Sequence, residues 1–311
     1  MAIFSKKIFQ YILLSILAAM IFISLISGCA SQEENEIIFS FLYMSDTQAD
    51  PEIGDYTSFG ELLEIAVNHE TEPRLLILGG DNINSGSSTE EWDAFWTAAG
   101  NNLDDFFVAS VAGNHDNDPL LAEKFDLPKI VPGNPTEGFF YTFTENNVFF
   151  LMLDSNIMGA GNASDVEWLG NQLSSSVATD ADWRIAVLHH PFWTVADIPR
   201  DMQRAETMRE KFLPLLEEHG VDLILCGHQH VYSRTAPMLS GVGIAAENGI
   251  IQIMTASGAK ASYSPGEHGY IETIAETPVY LIVEVGTDLL NITAYNDAGE
   301  PFDNVQISRR K

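Results

Sequence analysis

The stretch SVAGNHDND, residues 110–118, places polar side chains directly after a short apolar run. Gly113 ends the run, and Asn114, His115 and Asp116 follow it without a break. Glycine, asparagine and aspartate are common in tight turns, because they tolerate unusual backbone angles or hydrogen-bond their own backbone. A turn is therefore one interpretation of this stretch. A chemical site at the end of a buried strand is the other, and the rest of the chain decides between them.

Apolar runs that are typical of strands alternate with helix-like segments in the first two thirds of the chain, and strands alone follow. This pattern indicates an α/β fold that ends in a β-rich meander. Residues 37–300 contain no repeat, low-complexity stretch or long linker, which predicts one domain over 37–311. The predicted strands are 37–45, 74–79, 106–112, 147–154, 183–189, 221–226, 249–256, 278–285 and 289–295, and the predicted helices are 57–70, 88–99, 164–176 and 203–219.

Polar residues recur at the points where the predicted strands end. Five separate segments place aspartate, asparagine or histidine there. In open α/β sheets the loops at the carboxyl ends of the strands converge on one crevice, which is where ligands bind. One such residue means little, but five segments are difficult to attribute to turn chemistry. The residues in these positions are Asp46, Asp81, Asn114, His115, His189, His190, His228 and His230.

These side chains form a mixed set of oxygen and nitrogen ligands. Carboxylates, imidazoles and an amide oxygen suit Mn, Fe or Zn, whereas a structural zinc site needs more thiolate and a calcium loop needs less imidazole. Two metal ions about 3.5–4 Å apart would hold a phosphoryl group and generate hydroxide at neutral pH. Such a pair needs a shared carboxylate. Asp81, which has no second carboxylate in its loop, is the natural bridge.

The ordered motifs GGD, GNHD, VLHHP and GHQH, preceded by the Asp46 loop, resemble those of the calcineurin-like metallophosphoesterases, in particular the purple acid phosphatase-like branch. The resemblance covers nearly the whole chain after its N-terminal leader. It implies an α/β fold, a β-sandwich of two mixed sheets flanked by helices, and a site for two divalent or trivalent metal ions. It further implies that the first metal is bound by Asp46, Asp81 and His230, and the second by Asp81, Asn114, His189 and His228.

The same resemblance gives His115 and Asp116 catalytic roles. His115 would protonate the leaving alkoxide, and Asp116 would orient its ring. The reaction expected is hydrolysis of a small-molecule phosphate ester by in-line attack of hydroxide bound at the dinuclear site. No phosphoenzyme is expected, because no segment supplies an obvious nucleophilic serine or cysteine with a paired base.

Two positions depart from the family pattern. The first motif of the family reads Asp-x-His, whereas DTQ places Gln48 at the histidine position. An amide oxygen is a weaker and neutral donor, so with Gln48 as a ligand the first metal is expected to be held less tightly. Asn84 stands where purple acid phosphatases carry a metal-binding tyrosine, which predicts that the purple iron site is absent.

Two more residues are weaker candidates for substrate binding. His190 could touch substrate, but a hydrogen-bonded structural role suits it as well. Arg234 lies just past the metal-ligating histidines and could bind phosphate as a fork of donors. Pairing with one of the many carboxylates of the chain is the alternative for Arg234.

The first 28 residues are predicted to be a lipoprotein signal peptide. Lys6 and Lys7 precede a long apolar run, and ISGC resembles a bacterial lipobox in which Cys29 is acylated. Residues 29–36 would then be a short tether, and the domain would lie outside the cytoplasm, anchored to the bacterial cell membrane by an N-terminal lipid. An uncleaved membrane-spanning anchor is the alternative, because the apolar run is long enough to span a bilayer.

The composition excludes some partners. The formal net charge is −29, from 44 acidic and 15 basic residues, so a nucleic-acid backbone would be repelled. Besides phosphate-ester hydrolysis, one other function class stays open. The chain could be a surface lipoprotein that binds metal, phosphate or a partner protein without turnover, and Gln48 is the residue that supports this alternative.

Overall fold

We analysed a computed structural model of the chain, which describes residues 35–49, 54–127, 139–240, 242–243, 249–275 and 278–310. The predicted signal peptide and the lipidation site Cys29 lie outside these residues. Residues 37–311 form one compact unit. Within the described residues, no helix has the length and apolar character needed to cross a membrane.

Fifteen strands and eight helices make up the described part of the chain. The strands are β1 (Ile37–Met44), β2 (Leu75–Leu78), β3 (Phe107–Ser110), β4 (Tyr141–Glu145), β5 (Val148–Leu153), β6 (Trp183–Leu188), β7 (Leu223–Cys226), β8 (Tyr232–Thr235), β9 (Met238–Leu239), β10 (Val242–Gly243), β11 (Ile251–Met254), β12 (Ile271–Ala275), β13 (Tyr280–Gly286), β14 (Leu289–Tyr295) and β15 (Pro301–Ser308). The helices are α1 (Thr57–Val67), α2 (Thr89–Ala99), α3 (Pro119–Lys124), α4 (Ser155–Met158), α5 (Ala163–Leu173), α6 (Ser176–Asp180), α7 (Pro199–Lys211) and α8 (Leu213–Glu218).

The strands form two large mixed sheets, which confirms the predicted fold class. The first has six strands in the order β15-β14-β13-β1-β2-β3, and the second has seven in the order β12-β8-β11-β7-β6-β5-β4. In the first sheet β1, β2 and β3 are parallel, and in the second β5, β6, β7 and β11 are parallel. The remaining strands pair antiparallel, and β13, β14 and β15 form the meander expected at the end of the chain.

The two sheets pack face to face around an aromatic core. Phe41 of β1 and Phe150 of β5 meet edge to face, with ring centroids 5.5 Å apart. Strand β5 is apolar at every position because both its faces are covered: Phe150 packs between the sheets, and Phe149 and Leu151 pack in a second cluster with helix residues such as Trp168. Parallel strands buried on both faces give the unbroken apolar runs that made them readable in the sequence.

Differences from the predicted elements have local causes. The predicted helix 203–219 is two helices, α7 and α8, which meet at Phe212. Pro214 has no N–H to continue the first helix, so a new one starts there. Strand β15 was not predicted because it is an edge strand in which more and less exposed residues alternate, so no apolar run marks it.

Candidate metal centre

The loops that follow parallel strands of both sheets meet at one place. Asp46 follows β1 and Asp81 follows β2, while His189 follows β6 and His228 and His230 follow β7. All five side chains are buried. The convergence expected from the sequence therefore occurs between the two sheets as well as within each one.

The backbone is strained where these side chains project. Asp46 and Asp81 have φ angles of 52° and 53°, and His228 and His230 have φ angles of 81° and 49°. Non-glycine residues rarely adopt positive φ, at a cost of about 1–3 kcal/mol each, and aspartate and histidine do so more often than most other residues. Gly113 allows the loops to approach closely, because a Cβ there would lie 2.1 Å from Oδ1 of Asp81.

Two groups of potential ligand atoms lie in this cluster. In what we call the first group, one ligand atom from each of Asp46, Asp81 and His230 lies within 4.8 Å of the others. In the second group the same holds for Asp81, His189 and His228. Asp81 belongs to both groups, so a single carboxylate joins them.

Each of the three histidines has one ring nitrogen in contact with a polar group outside the two ligand groups. Nδ1 of His189 donates to the carbonyl of Gly79 at 2.9 Å, and Nδ1 of His230 donates to the carbonyl of Ala261 at 2.9 Å. Because a carbonyl can only accept, the neutral form of each ring keeps its lone pair on Nε2. Nε2 of His228 lies 3.1 Å from Oδ2 of Asp201. Such outer contacts fix ring orientation and tautomer in metal sites.

The charges and the unsatisfied atoms of these buried side chains fit bound metal ions. Asp46 and Asp81 are buried, yet among the described ion pairs neither has a lysine or arginine partner. A buried carboxylate without a cation is costly. Nε2 of His189 is buried without a hydrogen-bond partner within the described part of the chain, although it lies 3.3 Å from Oδ2 of Asp81. A cation between these groups would satisfy both requirements.

The charges of Asp81 and His189 are linked. Their side chains approach to 3.3 Å. Burial opposes charge on both, but their mutual attraction lowers the pKa of Asp81 and raises the pKa of His189 to about 9. Without a metal the pair therefore holds a proton at the position where a cation is favoured.

His115 lies at the exposed edge of this cluster, and its surroundings correct one prediction. Its Nδ1 donates to the carbonyl of Asn84 at 2.9 Å. The prediction that Asp116 orients the ring is wrong, because the Asp116 carboxylate is fully buried and accepts hydrogen bonds from the Gly113 N–H and from Asn82, each at 2.7 Å. Asp116 thus joins two loops, and burial raises its pKa to about 7. Asn114, between Gly113 and His115, is exposed.

The two weaker substrate-binding candidates are engaged elsewhere. His190 is buried, its Nδ1 lies 2.9 Å from Oγ of Ser155, and the guanidinium of Arg204 lies against its ring. Arg234 pairs with Asp303 at 2.8 Å and with Glu272. Arg234 therefore forms the carboxylate pairs given as its alternative role, and the structural interpretation of His190 is favoured.

Sequence reasoning missed three residues that line the site. Asp201, at the start of α7, supports His228. Lys260 places its Nζ 3.1 Å from Nε2 of His115, and the ring of Tyr263 lies 5.2 Å from that of His230. Lys260 and Tyr263 follow β11, which is parallel to β7. Because ligands bind at the carboxyl ends of such strands, the position of both residues after an apolar run could have identified them. Asp201 carried none, because aspartate is common at helix starts.

Comparison with known proteins identifies the same family that the sequence motifs resemble. A family model described as calcineurin-like phosphoesterase matches residues 39–232, more than half of the chain. Among curated proteins, the chain is 27% identical over 153 residues to an uncharacterised protein of Mycobacterium tuberculosis, covering 42% of this chain and 28% of that protein. It is 26% identical over 132 residues to purple acid phosphatase 23 of Arabidopsis thaliana, covering 40% of this chain and 28% of the relative. The matches thus span less than a third of these relatives.

Solved structures share the fold over most of the chain. The purple acid phosphatase PPD1 from seeds of yellow lupin (Lupinus luteus) aligns with a TM-score of 0.65 and 17% identity, covering 89% of this chain and 54% of that one. GAP50, described as the anchor in the inner membrane complex of Plasmodium, aligns with a TM-score of 0.67 and 15% identity, covering 89% and 90%. At these identities the likeness concerns the fold.

Proposed function

Because the chain belongs to the calcineurin-like phosphoesterase family, we propose that it is a hydrolase that cleaves small phosphate esters at a dinuclear metal centre. The observation that carries this proposal is Asp81, whose carboxylate is common to both ligand groups. A shared carboxylate is what a pair of adjacent metal ions requires. The family and the lupin structure support the reaction class.

The two groups supply five of the residues that would hold the metals, and the family motifs add Gln48 and Asn114. Asp46, Asp81 and His230, with the amide oxygen of Gln48, would hold the first ion. The second ion would be held by Asp81, Asn114, His189 and His228. Mn, Fe or Zn suits this set, and two such ions would supply a hydroxide nucleophile and neutralise charge on the phosphoryl group.

His115 would act as the general acid. Its Nδ1 is fixed by the Asn84 carbonyl, so Nε2 is the atom free to carry a proton toward a leaving group. The ring is exposed, which lets a substrate approach it. Asp116 would act indirectly, by holding the loop that carries His115 against the loop of Asn82.

An assay of the full-length chain tests the proposal. Detergent-solubilised protein supplied with Mn, Zn or Fe should hydrolyse p-nitrophenyl phosphate, and the chelated protein should not. In His115→Ala, hydrolysis of alkyl phosphates should fall by about 100-fold or more, whereas activated aryl phosphates should lose less, since only poor leaving groups need the proton. Equal losses for both classes would remove His115 from the acid role. Absence of turnover with every metal would overturn the proposed function.

One observation favours the second candidate, binding without turnover. Nε2 of Gln48 lies 3.3 Å from Oδ2 of Asp81 and 3.4 Å from Nε2 of His230, so an amide fills part of the first group. Rotation of the amide by 180° would present its oxygen instead. Calorimetric binding of metal and phosphate, without hydrolysis of any aryl phosphate, would support this candidate.

We further propose that the protein is lipid-anchored outside the cytoplasm through Cys29, on the strength of its lipobox-like sequence. Cells that express the full chain should incorporate labelled palmitate into it. The Cys29→Ser variant should not be labelled. Equal labelling of both chains would exclude this anchor.

A further inference from the structure

One further loop borders the cluster beside the Asp46 loop. We call residues 255–263, which follow β11, the Lys260 loop. The N–H of Ser257 donates to the carbonyl of Ser45 at 2.9 Å. Gly258 lies so close to the Asp46 backbone that a Cβ there would be 2.4 Å from its carbonyl oxygen. The loop is therefore packed directly against the loop that carries Asp46.

The same loop is fixed to the histidines. The carbonyl of Ala261 accepts the hydrogen bond from Nδ1 of His230 at 2.9 Å. The N–H of Tyr263 donates to the carbonyl of Gln229 at 3.2 Å. Lys260 lies between these anchor points, so its backbone has little freedom.

Lys260 brings a positive charge to the exposed side of the site. Its Nζ lies 3.1 Å from Nε2 of His115, and the side chain is half-buried. Among the described ion pairs Lys260 has no carboxylate partner, although Asp46 and Asp81 are near enough to attract it. Acidic residues outnumber basic residues by 44 to 15 in this chain, so a lysine without a carboxylate partner is unexpected. Such a lysine can bind an anion.

Hydrogen-bond roles show that this ammonium has capacity for a ligand. Because Nδ1 of His115 donates to Asn84, Nε2 accepts one N–H of Lys260 when the ring is neutral, and two N–H donors of the ammonium remain. When Nε2 carries the proton that the acid role requires, it no longer accepts, and all three donors remain. The remaining donors are available to an oxygen placed beside His115, the residue that would face the leaving group.

We propose that Lys260 binds a non-bridging oxygen of the phosphoryl group and thereby selects phosphate monoesters over diesters. The inference rests on the proposed function, since it assigns a substrate class to that same site. A monoester carries about two negative charges at pH 7.5, because its second pKa is near 6, whereas a diester carries one. The additional oxygen charge of the monoester is the one that an ammonium beside the metal centre favours.

Binding measurements test this without turnover. In metal-loaded full-length protein, Lys260→Met should raise the dissociation constant of inorganic phosphate by about tenfold, since hydrogen bonds to charged groups have roughly this effect. The dissociation constant of dimethyl phosphate should change less than about threefold. Lys260→Arg should stay close to the wild type for both. Lys211→Met, which removes an exposed lysine from α7, is the matched control and should change neither.

Kinetics give the second readout. For Lys260→Met, kcat/KM should fall about 10–100-fold for p-nitrophenyl phosphate and only a few-fold for bis(p-nitrophenyl) phosphate. Equal falls for both esters, or an unchanged dissociation constant for inorganic phosphate, would overturn the inference while leaving the proposed hydrolysis intact. If the wild type hydrolyses neither ester, the proposed function fails, and the two dissociation constants still decide whether Lys260 discriminates the anions.

Discussion

The two ligand groups of the cluster share Asp81 but differ in how their other members are built. In the second group, His189 and His228 are both imidazoles backed by a fixed acceptor, the Gly79 carbonyl and Asp201. The first group has a second carboxylate, Asp46, and one imidazole, His230, with the amide of Gln48 beside them. An imidazole binds Mn, Fe or Zn more strongly than a neutral amide does. We therefore expect the second group to bind an ion such as Zn more tightly than the first, with Asp81 common to both.

The largest effect should come from the carboxylate that the two groups share. Asp81→Asn removes a negative charge from both, so we expect both metals to be lost and turnover to fall on the order of a thousandfold. Metal content after dialysis, measured by mass spectrometry, checks the first point, and an aryl phosphate assay checks the second. Asp93→Asn, at an exposed position of α2, should behave as the wild type. Retention of one full equivalent of metal in Asp81→Asn would mean that the groups are independent.

A second pair of variants contrasts the groups directly. His189→Ala should weaken metal binding by more than about 100-fold in the second group, beyond the effect usual for outer contacts. Gln48→His, which supplies the missing imidazole, should instead tighten binding in the first group by about tenfold. Titration with Zn resolves the two steps. If wild-type protein already keeps two tightly bound ions through dialysis, Gln48 is no handicap and the contrast disappears.

A third variant changes a residue that contacts a ligand histidine but is not itself a proposed ligand. Asp201→Asn keeps a side chain of similar shape behind His228 but removes its charge, so metal affinity should fall about 10–100-fold. The effect should concern only the step of the Zn titration that fills the second group. Asp197→Asn, an exposed aspartate four residues earlier, is the control. A fall in both steps would show that Asp201 supports the whole cluster and not one histidine.

The sequence predicts those parts of the structure that an apolar run of residues marks. The ligand candidates Asp46, Asp81 and His189 were readable because each follows an unbroken apolar run, and parallel strands bring such ends to a common edge. The fold class was readable for the same reason. Strands such as β12 and β15 were not, since they are half exposed and lack such a run.

Hydrogen bonds to backbone carbonyls could not be predicted from the sequence. The carbonyls of Ala261 and Asn84 orient His230 and His115, and any residue type could supply them. The role of Asp116 was misassigned because adjacency in the chain suggested contact with His115, whereas the buried carboxylate turns toward N–H groups of the neighbouring loops. Side-chain direction in a loop follows from packing, which spacing does not encode.

The smallest effect concerns a buried carboxylate away from the cluster, and it tests whether burial alone makes a carboxylate take up a positive charge. Asp222 accepts the N–H of Arg184 at 2.9 Å and lies 3.3 Å from Nε of Arg310. Burial nevertheless raises its pKa to about 6. The native protein therefore keeps a proton that the unfolded chain releases near pH 4, so this group's contribution to stability is lost as pH rises from about 4 to about 6.

Asp222→Asn should remove that pH dependence. Relative to the variant, the wild type should lose on the order of 1–3 kcal/mol in the free energy of unfolding between pH 4 and pH 7. Urea unfolding at several pH values measures this, and Asp93→Asn serves again as the exposed control. Parallel curves for wild type and Asp222→Asn would show that the pair with Arg310 keeps the carboxylate charged. Burial alone would then not require a positive charge beside the carboxylates of the cluster, and only the position of Asp81 in both groups would favour cations there.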